Sequence, residues 1–305
     1  MAQLTVRKKK EDLVVFGRGA ALRLARIASK GTMSEILVAL REALDGLPVS
    51  GPGFTWRREG EKLYAFLTGE RSTPPYQLFM AKGNSKLPFY TWSTLPVFTC
   101  PGVGACGSWC YSLTGWRNAA PYWRQVQNTV LLRFMPEVVA DTFLDLKDGI
   151  TLRLYVDGDF ADEATVRFWF KLLRLRPDIR AYGYSKSWDE LAAAQDAAPA
   201  NYILNVSSGG RERSVSRAAA LSLPMARGLF VAVQVPARFM AMKAARYKDP
   251  EYHEAVRQAA RALGHQKVFS CTGLCGTCVK GRDGQWTHAC GDMRFKDVVI
   301  ANGIH

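Results

Sequence analysis

Between residues 95 and 270 two hydrophobic patterns alternate along the chain. Short apolar runs rich in β-branched and aromatic residues, at 95–99, 150–156, 179–184, 201–206, 229–235 and 267–270, predict buried strands. Between them apolar residues recur every three or four positions, the period of an amphipathic helix. Such stretches cover 122–134, 136–147, 162–175, 188–197, about 211–221, 237–247 and 250–263. Pro136 suits a helix start, Pro177 and Gly264 suit helix ends, and Ser187 is a possible N-cap. Strand–helix alternation at this spacing predicts an α/β fold with a parallel sheet and right-handed crossovers. The expected form is a partial (βα)6 barrel-like sheet, with an open doubly wound sheet as the alternative. Either form puts functional residues at the C-terminal strand ends.

Residues 1–90 read differently, as a basic α+β lobe. Ser34 is the expected N-cap of a helix that carries Ile36, Leu37, Leu40 and Leu44 on one face and ends at Gly46. The stretches 54–58 and 62–67 predict a hairpin around Glu59-Gly60-Glu61, and Ser72-Thr-Pro-Pro a turn or linker. The expected organisation is a lobe over 1–90, a (βα)-repeat metal or cluster domain over 91–270, and a Cys-rich segment over 271–305 closing on the barrel mouth.

The residues at the predicted strand ends carry the chemistry. The first strand runs into CPGVGACGSWCY, with Cys100, Cys106 and Cys110 spaced C-x5-C-x3-C among glycines. The second ends in Asp157-Gly158-Asp159, and the third in Tyr184-Ser185-Lys186-Ser187. The fourth ends in Ser207-Ser208-Gly209-Gly210-Arg211, and the fifth near Gln234. The sixth leads into Cys271, Cys275, Cys278 and Cys290, spaced C-x3-C-x2-C-x11-C. If the sheet curls, its first and last strands approach and the two cysteine groups become neighbours.

All 7 cysteines fall in these two groups. The amino terminus has no signal peptide and no apolar run is long enough to span a membrane, so a cytoplasmic protein with reduced thiols is expected. Clustered thiols there read as metal ligands before disulfides. Three ligands leave a coordination position open, as catalytic metals and substrate-binding clusters need, whereas four close a structural site. Soft thiolates select zinc or an iron–sulfur cluster, and the close triplets suit a 4Fe–4S cubane. His288 offers a replacement ligand in a zinc site, or is a solvated loop histidine.

Asp157 and Asp159 offer a grip for an amine, a ribose or a metal, or a general base; the bland alternative is a turn and a helix cap. Ser207, Gly209 and Gly210 make a Gly-rich turn before a helix, suited to a phosphate or to nothing beyond a loop. Lys186 is the charged candidate beside it. Aromatics crowd the first cysteine loop, either for base stacking or as the dry shell of a buried cluster.

The net charge of +14 favours an anionic partner such as DNA, RNA or a nucleotide, or is only a basic solvated surface. Lys8–Lys10, Arg57 and Arg58 are further basic candidates.

The segments LPVFTCPGVGACGSWCYSLTGWRNAAPYWRQ, LRLYVDGDF and YGYSKSW resemble the phage and plasmid gene product 88 family, over about residues 85–305. A more distant likeness is to radical S-adenosylmethionine enzymes, which also have a partial (βα)6 barrel and a three-cysteine loop after the first strand. That resemblance implies that Cys100, Cys106 and Cys110 hold a cluster, that Asp157-Gly158-Asp159 faces the methionine amine, and that Ser207 meets the ribose. The usual loop there is C-x3-C-x2-C; here that spacing occurs at Cys271–Cys278, where an auxiliary cluster is expected.

Three functions are therefore expected as alternatives. They are an iron–sulfur, radical S-adenosylmethionine-like enzyme acting on a nucleic acid or nucleotide; a zinc- or cluster-stabilised nucleic-acid-binding protein of a mobile element; and a metal-dependent hydrolase using Asp157 and Asp159.

Overall fold

The structure is a computed structural model that describes residues 18–81, 87–275 and 289–304. The Lys8–Lys10 run, Cys278 and His288 lie outside the described residues. Seven strands form one fully parallel sheet: β1 (Tyr90–Thr91), β2 (Thr151–Leu154), β3 (Arg180–Ser185), β4 (Tyr202–Ser207), β5 (Ala226–Val233), β6 (Val268–Ser270) and β7 (Val299–Gly303). Their order is β1-β2-β3-β4-β5-β7-β6, so the sheet is open, with β1 and β6 at its edges.

Four of the six predicted strands coincide closely with β2 to β5, and the sixth with β6. The predicted first strand is displaced. Residues 96–99 form a turn, and Val97 takes a left-handed φ of 70°. The strand lies earlier, at Tyr90–Thr91, and its ladder continues through Trp92 N to Arg153 O, Val156 N to Trp92 O and Thr94 N to Asp157 O. The chain therefore still runs beside β2 into Cys100. β7 falls within the expected Cys-rich segment and slots between β5 and β6, pairing Phe230 with Ile300 and Phe269 with Ile300.

Helices α4 (Ala119–Phe134), α5 (Pro136–Leu144), α6 (Glu163–Leu175), α7 (Trp188–Ala193), α8 (Arg217–Leu221), α9 (Ala237–Ala241) and α10 (Pro250–Ala262) connect the strands. Asp162 caps α6 by accepting from Thr165 N at 2.7 Å, and Asp249 caps α10 with Pro250 in its first turn. The apolar residues of α4 to α10 join alternate strand residues, including Leu152, Leu154, Leu204, Val231 and Val233, in one core. The other face carries a smaller cluster with Tyr182, Ile300, Leu87, Phe89 and Cys290, against which Tyr184, Phe230, Cys271 and Cys275 pack. One face thus belongs to the helices, and the other to the C-terminal cysteine segment.

Residues 18–67 form three helices with short turns between them, which corrects the hairpin expected in the α+β lobe. They form α1 (Arg18–Lys30), α2 (Met33–Asp45) and α3 (Phe54–Leu67). α2 begins two residues earlier than expected, with a Thr32–Glu35 capping box in place of a Ser34 cap. The predicted hairpin is α3. Its buried residues Trp56, Gly60, Leu63 and Phe66 follow a helical period that Gly60 disguised as a turn. Gly60 is there for contact: a Cβ at that position would lie 2.5 Å from Leu44 Cδ2 and 2.7 Å from Trp123 Cζ2. Trp123 Nε1 donates to Trp56 O at 3.0 Å, Tyr122 Oη donates to Ala21 O at 2.9 Å, and Arg133 donates to Ala28 O and Gly31 O. The core of α1 to α3 is continuous with that of α4.

Gly60→Leu therefore overpacks this seam. It is expected to lower stability by about 1–3 kcal/mol, read from urea unfolding followed by tryptophan fluorescence. An unchanged midpoint contradicts the close α3–α4 contact.

Candidate cofactor and substrate cavity

The cysteine loop contains one short 3-10 turn, Ala105–Ser108, and is held in place mainly by its neighbours. Cys106 N–H donates to Gly209 O at 3.1 Å, and Arg211 N–H donates to Gly102 O at 2.9 Å. Val103 and Gly210 form an antiparallel bridge. A Cβ on Gly102 would sit 1.8 Å from Lys186 O, and one on Gly104 2.7 Å from Arg211 N. Gly209 has a left-handed φ of 76° and faces Trp109 and Cys106. These glycines let three backbones meet where no side chain fits. The Gly-rich turn after β4 thus braces the cysteine loop, and Gly209 and Gly210 do not line the cavity beside it.

The Asp157–Asp159 turn is locked just as closely. Gly158 has φ 78°, and a Cβ there would fall 2.0 Å from Thr94 Oγ1. Asp159 is buried. Its Oδ1 accepts from Ser185 Oγ at 2.7 Å and from Phe160 N at 2.9 Å, and its Oδ2 accepts from Lys186 N at 2.8 Å. This ties the end of β2 to the end of β3. Asp157 Oδ2 accepts from Gln125 Nε2 at 3.0 Å, and Gln125 Oε1 accepts from Trp116 Nε1 at 2.7 Å. Lys186 Nζ donates to Ser207 Oγ at 2.8 Å. Burial raises both carboxyls above the usual range, opposed at Asp159 by Ser185 and the Lys186 amide.

A cavity of about 610 Å³ opens at these strand ends. Cys100, Cys106 and Cys110 line one side, and Cys271 and Cys275 another. Asp157, Gly158, Asp159, Lys186 and Ser207 also line it, with Trp109, Tyr111, Tyr184, Phe230 and Tyr247. Two predicted site residues stand apart. Gln234 is exposed just beyond β5 and does not line the cavity, and Cys290 is buried behind it in the second core cluster. Asn205 holds that segment, since its Nδ2 donates to Cys290 O at 2.8 Å. Arg227, fully buried, donates to Asn205 Oδ1 at 2.7 Å and to Val298 O and Phe295 O. Cys278 lies outside the described residues.

With this geometry, the chain matches the family model described as Gene product 88 over residues 68–281, more than half its length. The chain belongs to the gene product 88 family. The match begins at the end of α3 and takes in both flanks of the cavity. No curated protein and no solved structure matches the chain. Among the described residues no helix is long and apolar enough to cross a membrane.

The donor set of this family member suits a thiolate-bound group, with three thiols on one loop and further thiols facing them. A single zinc ion at about 2.3 Å from each sulfur brings its thiolates to about 3.8 Å of one another. Among the described residues no three His, Cys, Asp or Glu side chains converge closely enough to hold an ion.

Cavity residues that the sequence does not single out include Arg153, a charged residue between Leu152 and Leu154 on β2, and Asn302 on the unpredicted β7. The Leu-Arg-Leu alternation was the available signal, since it puts Arg153 on the face opposite the helical core.

Burial pushes the Cys100 thiol well up, with Asp159 adding to it, and raises Cys110 and Cys290. A raised pKa keeps the reactive thiolate scarce at neutral pH and lets it grow as pH rises. Iodoacetamide should therefore label Cys100 and Cys290 of metal-free folded protein at pH 7.5 more slowly than in urea, with the gap narrowing above pH 9. Peptide mass spectrometry gives the rates; equal rates in both states at pH 7.5 contradict the buried thiols.

Proposed function

We propose that this gene product 88 protein is an iron–sulfur enzyme of radical S-adenosylmethionine-like architecture, acting on a nucleic acid or nucleotide-type substrate. The observation that carries this reading is the convergence of cysteines from two loops far apart in the sequence on one cavity that also contains an acidic turn. Among the described residues the helices pack on one sheet face, and this, with a cysteine loop beside the first strand, supports the barrel-like comparison. In this reading Cys100, Cys106 and Cys110 hold a 4Fe–4S cluster with one position open, and Cys271, Cys275, Cys278 and Cys290 serve a second one. Such a cluster supplies one-electron chemistry when bound.

The chain's own residues do the positioning. Asp157 and the backbone around Gly158 receive a positively charged amine, and Ser207 a ribose hydroxyl. Asp159 holds the Lys186 segment in place and is a positioning residue. The aromatic lining excludes water around the thiolates, which sets their electrostatics.

The net charge of +14 favours a second reading, a cluster- or zinc-stabilised nucleic-acid-binding protein without turnover.

Protein purified without oxygen is expected to contain iron and matching acid-labile sulfide, with a brown visible spectrum. Cys106→Ala should lose the iron of the first group. Asp157→Asn should keep the iron while weakening S-adenosylmethionine binding about tenfold, a charge-assisted contact being lost. Zinc without sulfide, in a colourless protein, overturns the enzyme reading and leaves the nucleic-acid-binding one.

A further inference from the structure

Arg153 lines the cavity from β2, opposite Tyr182 in the register with β3. Its guanidinium lies 4.7 Å from the centre of the Tyr184 ring. Its Nε is buried without a hydrogen-bond partner among the described residues, where Arg153 also makes no ion pair. The acid nearest in the chain, Asp157, lies within electrostatic range of Arg153 but bonds Gln125 and makes no hydrogen bond to the guanidinium, and Lys186 is turned to Ser207. The other carboxylate of the cavity, Asp159, is saturated by Ser185, Phe160 and Lys186. A guanidinium is charged at any working pH, and burying it unpaired is costly. The contact with Tyr184 holds the fork over the ring and leaves its N–H donors to be satisfied from the cavity. Planar forks of this kind match the paired oxygens of a phosphate or carboxylate.

We propose that Arg153 is the anchor for an oxyanion, phosphate or carboxylate, carried by a small ring-bearing substrate of this cavity. The volume of about 610 Å³ suits a ligand of nucleotide size. Trp109 and Phe230 supply apolar walls for the planar part. Arg153 lies on the β2 wall with Cys275 and Tyr111 among its electrostatic neighbours, so the anchored group sits between the two cysteine groups. The assignment rests on the cavity of the proposed function and not on its metal chemistry.

The test is calorimetric titration of the purified full chain at low salt with two matched pairs, AMP against adenosine and benzoate against benzyl alcohol. The expected result is a preference of about tenfold or more for the anionic member of at least one pair. AMP alone marks a phosphate, and benzoate alone a carboxylate. Arg153→Gln should abolish the preference, and Arg153→Lys should keep part of it. Equal binding of both members of both pairs by the unmodified protein overturns the proposal, and this comparison decides the matter even if the variants do not fold. It is also overturned if folded Arg153→Gln keeps the preference, as it would if Arg153 served only as counter-charge to Cys275. Iron content measured on the same samples separates the outcomes: loss of iron with an intact anion preference sinks the cluster reading alone, and loss of the preference with intact iron sinks this one.

Discussion

The cavity depends on a backbone meeting of three segments. The loop that carries Cys100, Cys106 and Cys110 has little secondary structure to stiffen it. It lies against the carbonyl of Lys186 after β3 and the Gly209–Arg211 turn after β4, at distances only glycine permits. The hydrogen bonds from Cys106 and Arg211 fix the register of that contact. Asp159 secures one of the partners by binding the Ser185–Lys186 segment from the end of β2. Each cysteine therefore inherits its position from the sheet, so the loop does not need to be stable alone. Pre-ordering of this kind lowers the entropy cost of assembling a thiolate site.

Polar groups on the second sheet face serve the same end from the other side. Parallel strands are usually buried on both faces by helices. Here the second face is covered by Leu87, Phe89 and the C-terminal segment, and it accepts a chain of buried polar contacts from Arg227 through Asn205 to the backbone of Cys290. Breaking one member of such a network strands the others without partners, so its cost exceeds that of a single hydrogen bond.

Much of this was legible in the sequence, for identifiable reasons. β2 to β5 and their helices were readable because long apolar periods separate the two element types cleanly. Reading strand ends brought together Cys100, Asp157, Asp159, Lys186 and Ser207, since a parallel sheet puts all such ends on one edge. The misreadings share a cause, which is that tertiary contact overrode local preference. Gly60 looked like a turn and is a packing contact inside α3. The apolar run before Cys100 looked like a strand, but Pro96 and the left-handed Val97 turn the chain there, and the strand precedes it. Val298 to Ile300 had β-branched character that the neighbouring cysteines obscured. Arg153 was passed over because a lone charge in a strand usually signals an exposed face, and this face is covered.

The position of β7 sets an order of events. Among the described residues it is the last strand in sequence, yet it pairs with both β5 and β6. Until it arrives, β6 has no partner in the sheet among the described residues, and Cys271, whose N–H donates to Ala301 O at 2.8 Å, lacks that anchor. During synthesis the thiols of that segment therefore leave the ribosome before the strand that seats them. The second flank of the cavity is therefore seated only once β7 has been made and has paired with β5 and β6.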